Sequence, residues 1–123
     1  MKKRLIGLLS VFLLLLFVST ALAATLTCQP TSQQTGSAAC VESACHFFGI
    51  AVITDGTNNV TVDIYDNASA ASGTKLIPTW VIPTSATNLA AGYDAPVPIR
   101  CKNGIYVNVT CEGSVKYIVY YSD

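Results

Sequence analysis

One stretch constrains the fold more than any other: Phe47–Tyr65, FFGIAVITDGTNNVTVDIY. In its second half Val60, Val62 and Ile64 point one way, and Thr61, Asp63 and Tyr65 the other. A period of two marks a strand with one face buried. Its first half is apolar on both faces, which places it deeper in a sheet. Between them Asp55-Gly56-Thr57-Asn58-Asn59 is a turn cluster. The two runs read together as a β-hairpin. No stretch beyond the N-terminal segment keeps an apolar period of 3.6, so no helix of any length is expected.

Six strands are expected in all, at His46–Thr54, Val60–Tyr65, Leu76–Ile82, Val97–Cys101, Ile105–Cys111 and Val115–Tyr121. Asp66–Thr74 and Pro83–Pro96 read as loops, being rich in small and polar residues with Pro at both ends of the second. Asn103-Gly104 suits a type I′ hairpin turn, which needs positive φ at both central residues. That turn would set Cys101 opposite Tyr106, Arg100 opposite Val107 and Cys111 opposite Pro96. Glu112-Gly113-Ser114 turns the chain again, completing a three-stranded meander. The expectation is an all-β chain: a small antiparallel β-sandwich of about six to eight strands. Its last strand, VKYIVYY, carries one charge, Lys116. It reads as an internal strand; left uncovered, it would be a template for pairing with another chain.

The N-terminus reads as a secretory signal peptide. Met1-Lys2-Lys3-Arg4 is basic, Leu5–Val18 is apolar, and Ala21-Leu22-Ala23 supplies the A-x-A site, which places cleavage after Ala23. The apolar run is short of the ~20 residues a membrane span needs. Leu26-Thr27 before Cys28 lacks the small residue that precedes a lipidated cysteine. The expected organisation is a signal peptide over 1–23, an N-terminal extended segment over 24–44 and a β-sandwich domain over 45–123. Three of the seven basic residues leave with the signal and none of the seven acidic ones do. The remainder is weakly acidic, with scattered cations. It offers no electrostatic footprint for nucleic acid and no polybasic patch for anionic lipid. The expected location is secreted, extracellular or periplasmic.

All five cysteines, Cys28, Cys40, Cys45, Cys101 and Cys111, lie beyond the signal. An oxidising compartment makes all of them disulfide candidates, and an odd count leaves at least one unpaired within the chain. Under the hairpin register Cys101 and Cys111 are too far apart to bridge. The preferred pairs are Cys45 with Cys101, and Cys28 with Cys40 or Cys111. A second reading is c-type haem attachment: Cys40 and Cys45 as thioether anchors and His46 as the iron ligand, in a C-x4-C-H arrangement. His46 is the only histidine and Met1 leaves with the signal, so no ordinary second axial ligand remains.

No catalytic constellation emerges, and no catalytic residue or metal site is assigned. One histidine among many serines is no triad signal. Glu42 and Glu112 fall in loops near cysteines; Asp63 and Asp66 with Asn67 suit a cation site, though they read better as solvated groups at a strand end. Asn59, Asn67 and Asn108 begin N-x-S/T triplets, in a chain where such residues abound. Trp80 and Tyr65 suit a sugar-binding face, though Trp80 reads better as core.

The blocks ITDGTNNVTVDIYDN, SAASGTKL, CKNGIYVNV and YIVYY resemble a small β-rich domain of uncharacterised phage and environmental proteins. The resemblance covers Cys45 to Tyr121 and implies a virion-associated or other structural role, with no functional residues attached. The signal peptide and Cys28, Cys40 and Cys111 depart from that pattern, which suggests a module recruited for export. The expected function is therefore an exported, non-catalytic assembly β-sandwich, for example a subunit of an extracellular filament or surface layer. Its partners would be further copies or an extracellular protein, joined by strand addition. The alternatives are a c-type haem electron-transfer protein and a small glycan- or protein-binding module.

Overall fold

A computed structural model describes residues 27–84 and 90–123. The signal peptide over 1–23, with its cleavage site, and part of the Pro83–Pro96 segment lie outside the described residues. Eight strands form: β1 (Gln29–Pro30), β2 (Ala38–Val41), β3 (Cys45–Thr54), β4 (Val60–Tyr65), β5 (Trp80–Ile82), β6 (Ala90–Cys101), β7 (Ile105–Thr110) and β8 (Val115–Ser122). They build two antiparallel four-stranded sheets, one in the order β1-β8-β3-β6 and the other β2-β7-β4-β5. The chain is an all-β sandwich.

Alternation places the core. In β4, Val60, Val62 and Ile64 are fully buried while Thr61, Asp63 and Tyr65 are half-exposed. Across the interior stand Phe47, Ile50 and Val52 of β3 and Val115, Tyr117 and Val119 of β8. From the other sheet Ile82, Ile105, Val107 and Val41 close the space, together with Ile77. The apolar first half of the Phe47–Tyr65 stretch is explained by position: β3 lies between β8 and β6, hydrogen-bonded on both sides.

The pairing of sequential strands differs from the sequence expectation. β3 and β4 are not a hairpin, because they belong to opposite sheets. Nor do β6, β7 and β8 form a meander: β6 pairs with β3, β7 with β2 and β4, and β8 with β1 and β3. Cys101 therefore faces Cys45 and not Tyr106; Arg100 faces His46 and not Val107; Cys111 has no ladder partner at Pro96. Among the described strands, only β4 and β5 are consecutive members of one sheet. Asn103-Gly104 makes a crossing between sheets. Among the described residues no non-glycine has positive φ, so Asn103 cannot occupy a type I′ position, while Gly104 sits at φ 138°. The cause is Asp66, whose carboxylate accepts the backbone N–H groups of Lys102 at 3.1 Å and Asn103 at 2.7 Å. It ties the turn to the end of β4. A Cβ on Gly104 would strike the carbonyl oxygen of Val41, so the turn also packs against β2. Asp55 plays the same part at the far end, accepting from Thr57 N–H at 3.0 Å and Ser114 N–H at 2.7 Å.

Three segments differ in extent. Leu76–Ile82 is a strand only from Trp80, since Pro78 lacks a donor for the ladder. Pro83–Pro96, read as a loop, contributes Ala90–Pro96 to β6 despite its weak β-propensity, because β3 supplies a pairing edge and Tyr93 packs opposite Ile50. The N-terminal segment over 24–44 yields β1 and β2, one in each sheet.

Candidate functional site

The four sheet edges differ in how they meet solvent. β6 is an edge strand containing Pro96 and Pro98. Its register against β3 jumps from Asp94 opposite Gly49 to Ile99 opposite Phe47, so four residues bulge against one, Phe48. Gly49 is required there, because a Cβ would lie 2.5 Å from the carbonyl oxygen of Tyr93. Prolines and a bulge disarm an edge against pairing. In the second sheet β5 is three residues long, and β2 carries a register shift between Ala39 and Val41.

The fourth edge is built differently. β8 has eight residues, yet β1 pairs with only two of them, Gln29 with Tyr121 and Pro30 with Tyr120. Beyond β1 the chain continues along β8 as a strap. Thr31 N–H donates to the Val119 carbonyl at 2.8 Å, and Val119 N–H returns a bond to Thr31 Oγ1 at 3.1 Å. Gln34 and Tyr117 exchange both backbone bonds, at 2.9 and 3.0 Å. No strap residue is fully buried: residues 27–37 are all exposed or half-exposed. Hydrogen bonds hold it, most of them main-chain to main-chain. The Tyr117 hydroxyl donates to the Gly36 carbonyl at 2.7 Å, where the chain leaves one sheet for the other. Burial, with Cys40 beside the phenol, pushes Tyr117 ionisation far up, so this donor keeps its proton.

The cysteines separate by environment. Cys45 and Cys101 are direct cross-strand partners, 3 % and 0 % exposed, and their thiols adjoin. Burial raises both thiols, Cys101 to about 12 with the Cys45 thiol adding to it. Cys40 is half-buried, 3.9 Å from the Tyr117 hydroxyl, and burial raises it too. Cys111 is half-buried after β7, and its sulfur accepts from Gly113 N–H. Cys28 is exposed, one residue before β1. All five are thiols in this structure. Cys101 and Cys111 stand at opposite ends of β7, whose span is roughly 20 Å.

The haem arrangement is not assembled. Cys45 points into the core, so adjacent His46 takes the opposite face of β3, and Cys40 lies in the other sheet. His46 Nδ1 and the hydroxyl of its cross-strand neighbour Ser122 are both buried without a hydrogen-bond partner. Asp63, Asp66 and Asn67 do not converge either. Asp63 accepts from Lys75 at 2.7 Å and Thr79 at 2.6 Å, bonds that lower its pKa. Burial would raise Asp66, but the Asn103, Lys102 and Gly104 N–H groups outweigh it and hold that carboxyl below its ordinary value. Asn67 caps its own loop, accepting from Ser69 and Ala70 N–H. Trp80 stands opposite Val62 and packs against the core, whereas Tyr65 pairs with Tyr106 on the outer face. The triplet asparagines are engaged as well: Asn59 accepts from Thr84 N–H, and Asn108 from the Ser37 hydroxyl. Glu42 and Glu112 are exposed; Glu112 rims an open depression of about 300 Å³ with Asn58, Asn59, Thr61, Thr110 and Cys111. Sequence reasoning missed the strap, because Gln29–Gln34 has no apolar alternation; the one signal was a β8 with a single charge that needs a cover.

Among the described residues no helix is long and apolar enough to cross a membrane. No family model matches the chain, and no curated protein matches it.

Proposed function

We propose that this is an exported, non-catalytic assembly subunit whose copies join by exchanging the N-terminal strap along β8. The supporting observation is how that edge is covered: a long apolar strand is capped mostly through main-chain bonds by a segment with no fully buried side chain. A neighbour's Gln29–Gln34 would make the same bonds to β8. Exchange therefore conserves the hydrogen-bond energy, and protein concentration and hinge strain set the balance. The hinge is Thr35–Ser37, where the chain crosses between sheets and a Cβ on Gly36 would meet nothing within 4 Å. The other edges are bulged, proline-bearing or short, so growth is confined to one. Reciprocal exchange closes as a dimer, and head-to-tail exchange continues as a filament or closes as a ring. The resemblance to structural components of phage points the same way.

The test is light scattering and electron microscopy of the mature chain on concentration, beside a Thr31→Pro variant lacking the donor to Val119. The proposal expects oligomers or filaments whose population rises with concentration and changes in the variant. A monodisperse monomer at millimolar concentration refutes it.

A further inference from the structure

We propose that Cys45 and Cys101 are joined in the working protein by a cross-strand disulfide, formed as the chain folds and then sealed in the core. This is independent of whether copies assemble. Three observations carry it. The residues are direct antiparallel partners at the last rung of the β3–β6 ladder, one rung beyond His46 opposite Arg100. Directly opposed residues have Cα atoms ~4.5–5.5 Å apart, inside the ~4.4–6.8 Å range a disulfide uses. Both side chains point to the same, inner side, and their thiols adjoin. None of the other three cysteines is so placed: Cys40 neighbours Tyr117, Cys111 sits beyond β7, and Cys28 lies on the strap.

The location gives the bond a task. β6 is an edge strand, and its residues 95–98 bulge away from β3 just before the Ile99–Cys101 rungs. Without a link those three rungs hang between the bulge and the turn at Lys102–Gly104. The disulfide pins them, and so fixes where β6 leaves one sheet and β7 begins in the other.

The chemistry is thiol–disulfide exchange with an external disulfide, either a small organic disulfide or that of an exported thiol oxidoreductase. One cysteine thiolate attacks the donor disulfide and forms a mixed disulfide. The second cysteine then displaces the remaining donor sulfur. One S–S bond forms and one breaks. The two cysteines lose two electrons and two protons, and the donor is reduced to two thiols. In the folded chain both thiols are shielded and their ionisation is suppressed by burial. Attack therefore precedes docking of β6 onto β3, and the finished bond resists reduction while the sandwich stays closed.

The mature chain, unfolded and reduced, is refolded in oxidised and reduced glutathione, alkylated in denaturant and peptide-mapped. The expected product links the Cys45 and Cys101 peptides, with two hydrogens lost. Dithiothreitol should reduce it on the order of a hundredfold more slowly in buffer than in urea, because opening of the core limits access. A folded, reduced sample given the same glutathione mixture should oxidise this pair far more slowly than the refolding sample. Full alkylation of both cysteines after oxidative refolding overturns the proposal, as does linkage of either one to Cys28, Cys40 or Cys111. The mapping uses the unaltered chain, so no variant has to fold.

Discussion

Replacing Asp66 by Ala removes the acceptor that holds the turn between β6 and β7. Two N–H groups, from Lys102 and Asn103, lose a charged partner at 3.1 and 2.7 Å. A hydrogen bond to a charged group contributes ~1.5–3 kcal/mol, and leaving the partner unmet costs similarly. Lys102 and Asn103 are exposed, so water recovers part of each bond. The net cost comes to about 2 kcal/mol, which for a domain of this size lowers Tm by about 10 °C. Urea melts followed by circular dichroism at neutral pH measure the change. Asp66→Asn keeps one acceptor and loses the charge, for about half the cost. Its acid limb is the sharper test. The folded carboxyl titrates below its ordinary value of 3.8. Its contribution is therefore complete above that value and is lost as pH falls through the folded pKa. Wild type and Asp66→Asn should differ at pH 6 and converge toward pH 2. A cost under about 0.5 kcal/mol for Asp66→Ala, against that hydrogen-bond scale, would refute the reasoning. So would a gap to Asp66→Asn that persists unchanged at pH 2, since the carboxylate would then not be what holds the turn.

Gly49→Ala forces a Cβ against the Tyr93 carbonyl at 2.5 Å. The expected loss is about 2 kcal/mol, with hydrogen-exchange protection falling first along β6. Tyr117→Phe deletes the bond to the Gly36 carbonyl; about 1 kcal/mol should be lost, and amide exchange at Thr31 and Gln34 should quicken as the strap loosens. Ile64→Ala in the fully buried middle of β4 should cost about 3–4 kcal/mol by chemical denaturation. Lys75→Ala breaks the pair with Asp63, but its ammonium is well exposed, so the urea midpoint should barely move, and less still in high salt.

Several elements were legible from residues alone. Val60–Tyr65 declared its inner and outer sides, and β4 has those limits. The doubly apolar run before it declared an internal strand, and β3 is one. Trp80 was legible as core from its place in an apolar run. Less legible were Ala90–Pro96, whose small residues and terminal proline speak for a loop until β3 offers an edge, and the strap, whose contacts are made mostly by backbone. Cys45 and Cys101, a preferred pair from the sequence, do stand opposite each other; what failed was the register that set Cys101 against Tyr106, because the turn at Asn103-Gly104 does not close a hairpin.

What the residues settle unaided is that the chain is strands, and which side of each strand avoids water. Which sheet each strand joins is set by long-range packing. The reason lies in the alternation: in a sandwich the inner faces of both sheets meet in one core. A strand that folds back beside its predecessor and one that crosses to the opposite sheet bury the same residues. Period two cannot tell them apart. What separates them here is a few contacts between residues far apart in the chain: Asp66 with Lys102 and Asn103, Asp55 with Ser114, and Gly104 against Val41.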